Sequence, residues 1–158
     1  MEELIRLEKA KEVYHTLCEA LDENKWPYEK HEDDFLITCG ARGEDLPINI
    51  IILVDKEREI VTLQSPLPII IPQDRYNAFA MASCIVNRSL MDGCFYFNYL
   101  SGDLHFRMSF NYLDSEIGKG AFNYMLFFAC LAIDKYNDKF LKLSEQKMSL
   151  KEIKALLS

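Results

Sequence analysis

No stretch of this sequence is apolar for long enough to cross a membrane; the longest nearly unbroken run, residues 124–133, is half a span. The opening Met1-Glu2-Glu3-Leu4 lacks the basic start and apolar core of a signal peptide, so the expectation is a soluble, cytoplasmic protein with no membrane partner. Positive charge is scarce as well. Eighteen Lys and Arg against 25 Asp and Glu leave a formal charge of -7, which repels phosphate backbones and argues against nucleic acid as a partner. The five cysteines (Cys18, Cys39, Cys84, Cys94, Cys130) are odd in number and contain no CxxC pair, so they read as free thiols rather than a disulfide framework or a metal knuckle. Internal repeats, low-complexity tracts and interdomain linkers are missing too, as is any constellation that demands a reaction.

What is present is an ordinary globular composition: 158 residues, 49% hydrophobic, 27% charged and 12% aromatic, enough for one domain with one core. Over residues 3–22 the apolar positions Leu4, Leu7, Ala10, Val13, Tyr14, Leu17, Cys18 and Leu21 recur at helical spacing, and Asn24, expected in a left-handed cap, and Pro27 end the helix. Short strands are expected at 28–30 and 35–41. Residues 48–54, mostly Ile, fit a strand inside a sheet with both faces covered, and residues 60–64 return as its hairpin partner. Pro66, Pro68 and Pro72 make the next segment an edge or surface strap. A helix over 74–90 carries two apolar stripes.

Residues 94–113 read as a hairpin. A two-residue Ser101-Gly102 turn sets Phe97 opposite Phe106 and Tyr96 opposite Arg107, leaving one face apolar and the other polar. A helix from Asp114 or Ser115 to about Tyr136 follows. Beyond it, the segment with Phe140, Leu141 and Leu143 is a candidate cover for Phe127 and Cys130, and Ser149-x-x-Glu152 opens a last helix as a capping box. The fold class is therefore α+β: an antiparallel meander of about five strands with helices packed on it, in the order α-β-β-β-α-β-β-α plus a C-terminal helix.

With the elements placed, Val86-Asn87-Arg88, Gly93-Cys94-Phe95-Tyr96-Phe97, Ser101-Gly102-Asp103-Leu104-His105-Phe106-Arg107 and Asp134-Lys135-Tyr136 stand out. In these residues the chain resembles the YbjN family, assigned as bacterial sensory transduction regulators, whose fold is similar to that of type III secretion chaperones. The likeness covers roughly residues 2–145. It implies one domain over 1–158, with 138–158 as a helical extension. It also implies a small acidic protein that works through protein contacts, often as a dimer. It brings no catalytic signature, and the prolines and the capped tail are this sequence's own.

Several groups are candidates for chemistry. Tyr96, Asn98, Asp103, His105, Arg107 and Ser109 share the polar hairpin face; a small-ligand sensor or enzyme could use Asn98, His105 and Arg107, with the arginine holding an anion, although a solvated or partner-facing surface is the plainer reading. His15 and Cys18 sit at i and i+3 but lack two further ligands. His31 with Glu32, Asp33 and Asp34 lacks the oxygen spacing of a calcium loop, and Gly118-Lys119-Gly120 lacks the frame of a P-loop. No catalytic residue, cofactor or metal is therefore expected. The heavier signal is surplus apolar surface at Leu67, Ile69, Ile71, Ala78, Met81, Ile85 and Phe127, the mark of a partner site. The expectation is a non-enzymatic, chaperone-like or regulatory interaction module, a homodimer that binds a partner protein.

Overall fold

Strand β3 (Pro47–Asp55) shows how the sheet is built, because its residues alternate strictly between two environments. Ile48, Ile50, Ile52 and Val54 are buried under helices, while Asn49, Ile51 and Leu53 point the other way and stay exposed. The structure is a computed structural model and describes residues 1–157. Its strands are β1 (Tyr28–His31), β2 (Leu36–Arg42), β3, β4 (Ile60–Pro66), β5 (Cys94–Asn98) and β6 (Asp103–Asn111). They form one sheet in the order β1-β2-β3-β4-β6-β5 with every neighbour antiparallel. The chain is thus α+β, with six strands where about five were expected. The Ile-rich strand does lie inside the sheet, but only one of its faces is covered.

Helices α1 (Glu2–Glu23), α2 (Tyr76–Asn87) and α3 (Lys119–Ser144) pack on the covered face, and the short α4 (Leu150–Leu156) leans on α2. Aromatic rings join the layers. Phe95 of β5 lies 5.1 Å from both Phe106 of β6 and Phe140 of α3, and Phe140 stacks on Phe79 of α2 at 6.1 Å. At the other end Lys9 of α1 pairs with Glu59 at 3.2 Å, donates to the Leu113 carbonyl and lies 5.6 Å from the Tyr112 ring.

Four local expectations are corrected. The hairpin loop holds four residues, so Phe97 faces Leu104 and Tyr96 faces His105. Asn98 causes this: its side chain accepts from the Leu100 and Ser101 amides, and its carbonyl accepts from Gly102 at 2.7 Å. The register moves by two residues, which leaves the faces unchanged. α1 ends at Asn24 with ordinary right-handed φ, and Lys25 takes the left-handed turn at φ 53°. α3 starts at Lys119 after Gly118, later than Asp114, and runs on to Ser144 because Tyr136, Phe140 and Leu143 keep the core spacing past the polar residues 134–139. Residue 138 therefore lies mid-helix, and the segment beyond it cannot fold back over Phe127. α4 does open on the expected box, with Ser149 N donating to Glu152 at 2.7 Å and Glu152 N donating to Ser149 Oγ at 3.3 Å.

Candidate protein-docking surface

Because no described element packs over the second face, its side chains can be read from the register alone. Leu36, Leu53, Thr62 and Ser109 lie in one row across β2, β3, β4 and β6. Thr38, Ile51, Gln64, Arg107 and Cys94 form the next row. Ile51 and Leu53 are 36% and 37% exposed, Leu36 and Ile60 are half-buried, and the four floor a depression of about 500 Å³. β-branched and aliphatic side chains favour strands for the very reason that they want cover on a pleated surface. Here they lack it.

Charge sits at the margins of this floor. Asp55 is locked into the β3–β4 turn: its Oδ1 accepts from Glu57 N at 2.9 Å and Arg58 N at 3.0 Å, and its Oδ2 takes the Arg58 guanidinium at 3.0 Å. Partial burial works against the charged form of this carboxyl, but those hydrogen bonds outweigh it and hold the group below its usual value. On the other side Tyr96 is sandwiched, with His105 stacked 5.1 Å away at 11° and the Arg107 guanidinium 5.0 Å from its ring. The His105 Nδ1 is buried and has no partner among the described residues. The polar face foreseen in the sequence thus exists for Tyr96, His105 and Arg107. Asn98 is occupied in closing the loop, and Asp103 stands opposite it.

The apolar candidates scatter. Leu67, Ile69 and Ile71 of the proline-rich strap turn into the core at 7%, 9% and 7% exposure, while Pro68, Ile70 and Pro72 point out, a correction with a simple cause. The strap is extended, with Leu67 N still donating to Leu104 O at 2.9 Å, so alternate residues face inward. Ala78 and Ile85 of α2 are half-buried and Met81 is exposed, all over the β5 side of the sheet. Phe127 of α3 lies toward the β2 side, where its ring meets Trp26 at 5.8 Å and Trp26 donates to Gly40 O at 3.1 Å. It leads a stripe with exposed Tyr124 and Leu131. These groups do not form one patch.

The remaining motifs have structural roles. His15 is exposed and pairs with Glu19 at 3.3 Å while Cys18 points into the core. The residues 32–34 make a short 3-10 turn, and Lys119 between its glycines holds Glu23 at 2.5 Å. Burial pushes the Cys39 thiol up to about 12, with Cys130 nearby adding to the shift, and pushes Cys130 up to about 11 beside Asp134. Sequence reasoning missed Leu36, Ile51, Leu53 and Ile60 as a surface. The signal was there in the Ile-rich strand, but hydrophobicity alone does not say which face lacks a cover.

No protein-family profile matches this chain, and no curated protein sequence does. Solved structures do. The crystal structure of YbjN from E. coli, assigned as a transcription regulator, aligns over 79% of this chain and 91% of its own, with a TM-score of 0.59 at 10% identity. A chain of the crystallised ExsC–ExsE complex aligns over 85% of this chain and 95% of its own, with a TM-score of 0.52 at 15% identity. The chain has the fold of YbjN and of the type III secretion chaperones.

Proposed function

We infer that this chain is a non-enzymatic protein-interaction module, chaperone-like or regulatory in role, that acts as a homodimer and holds a partner polypeptide on the open face of its sheet. One observation carries the reading: the inner strand β3 presents Ile51 and Leu53 to solvent beside Leu36 and Ile60, while the other face of the same strand is buried under helices. The shared fold supports it, since one protein of this fold was crystallised as a two-protein complex, ExsC–ExsE. An open antiparallel face suits an extended segment that lays alternate side chains into the depression.

Self-association is assigned to helix surfaces, where Met81 with Ala78 and Ile85, or Phe127 with Leu131, would be covered by a second copy. Light scattering at micromolar concentration tests the dimer; the expected mass is twice that of the 18.4 kDa chain. A strictly monomeric protein contradicts that part. For the docking face, a photo-crosslinking residue at position 51 should trap a polypeptide in cells while one at Glu8 of α1 traps none. Equal trapping at both positions contradicts the assignment.

A further inference from the structure

The chemistry around the open face goes further than its shape, on the reading that this face holds a polypeptide. The chain carries a formal charge of -7, yet among the described residues the floor of the depression has a cation as its one charge outside an ion pair. The carboxylate at its rim, Asp55, is held by three hydrogen bonds from Glu57 and Arg58. Arg58 is in turn paired with Asp55. Two further acids lie on this face: Glu29 of the edge strand β1, four strands or ~19 Å from β6, and Asp103 at the loop end of β6, four residues or ~13 Å from Arg107. Arg107 forms no ion pair among the described residues; its guanidinium rests over Tyr96, which fixes the plane and leaves the outer N–H groups unused. It lies in the same row as Ile51, two strand steps or ~10 Å away.

We propose that the occupant is an extended, acidic segment of another protein, with aliphatic side chains over Leu36, Ile51, Leu53 and Ile60 and a carboxylate two to three residues further on that pairs with Arg107. An extended chain rises about 3.3 Å per residue, so that spacing advances ~7–10 Å and, with the reach of the carboxylate side chain, spans the ~10 Å between Ile51 and Arg107. A second copy docked by the same face does not meet this demand. An isologous contact that stacks Ile51 on Ile51 offers Arg107, among the described residues, only Asp103 as an unengaged carboxylate nearby, and that residue lies ~16 Å from its own Ile51 rather than ~10 Å.

The test uses the full chain and two labelled synthetic peptides, each of about ten residues, in which Ile and Leu alternate with Ser and Thr; one carries two Glu, the other Gln at the same places. The Glu peptide should bind about tenfold more tightly, the step expected for one charge-assisted bond, and raised salt should shrink the difference. Arg107→Gln should erase the difference and leave the Gln peptide's affinity unchanged, and Arg107→Glu should reverse it. If both peptides bind the wild type equally, and Ile51→Asp abolishes both, the face holds polypeptide but the acidic preference is wrong. If Ile51→Asp leaves binding intact, or neither peptide binds, the docking face itself is wrong. If neither binds and Arg107→Glu alters self-association in sedimentation, the occupant is a second copy and the proposal is overturned.

Discussion

Ile51 and Ile52 are chemically identical neighbours on one strand, 36% and 0% exposed, so truncating each to alanine isolates the one difference between the two faces. Ile52→Ala removes methylene groups from a packed interior and leaves a cavity, at a cost of about 2–5 kcal/mol. Ile51→Ala forfeits only the covered part of its transfer free energy and opens to water rather than to a void, about 1 kcal/mol. For a domain of this length each kcal/mol is worth roughly 2–4 °C in Tm. Ile52→Ala should therefore melt roughly 4–20 °C below the wild type and Ile51→Ala only about 2–4 °C below it. Calorimetry and urea titration at two protein concentrations read both. Equal losses for the two variants would refute the reasoning, because Ile51 would then be as well covered in solution as Ile52. If the Ile51→Ala loss grew with protein concentration, the cover would be a second copy.

Asn137 in α3 is fully buried with neither amide atom bonded among the described residues; Asn137→Leu should raise the urea midpoint by an amount equivalent to about 1–2 kcal/mol, and a loss would show that the amide is satisfied by buried water. The carboxyls of Asp55 and Asp138 are held below their usual value, each against some desolvation, by hydrogen bonds from Arg58 and Glu57 and from Lys139 and Lys142. Their stabilising share is therefore complete above the unfolded carboxyl value of about 4 and drains away as pH falls through the lower folded values. Asp55→Asn should flatten the acid limb of stability between about pH 4 and 2, and an unchanged limb would contradict the turn lock. Among the thiols, exposed Cys84 should react with a maleimide or disulfide reagent in seconds to minutes, while half-buried Cys39 and Cys130, whose thiols burial pushes up, should react far more slowly; equally fast loss of all five thiols would overturn this pattern.

How much of this could be read from the residues depends on the kind of signal. The two faces of the β5–β6 hairpin were legible because a period of two survives a two-residue shift, and Phe95, Leu104, Phe106 and Met108 are buried as expected. The loop was not legible, since Asn98 closes four residues with its side chain where Ser101-Gly102 alone suggested two. Gly102, at φ 80°, is needed at that loop because a Cβ there would run into the Tyr76 ring. The end of α3 was hidden by the polar residues among 134–139, and the contacts of Tyr136 with Phe95 and of Phe140 with Phe79 and Phe95 carry the helix through them. The open face was half legible: the isoleucines announced a strand in need of two covers, and nothing in the order of residues told that one cover is not supplied by the chain.

The central claim, that this uncovered face receives a polypeptide, is tested most directly by methyl NMR of the isoleucine side chains during titration with the Glu-bearing peptide. The account predicts that the Ile51 and Ile60 methyl signals shift and saturate together while those of Ile37, Ile50 and Ile52 stay in place. Shifts confined to residues outside the sheet, or none at all at saturating peptide, would contradict it.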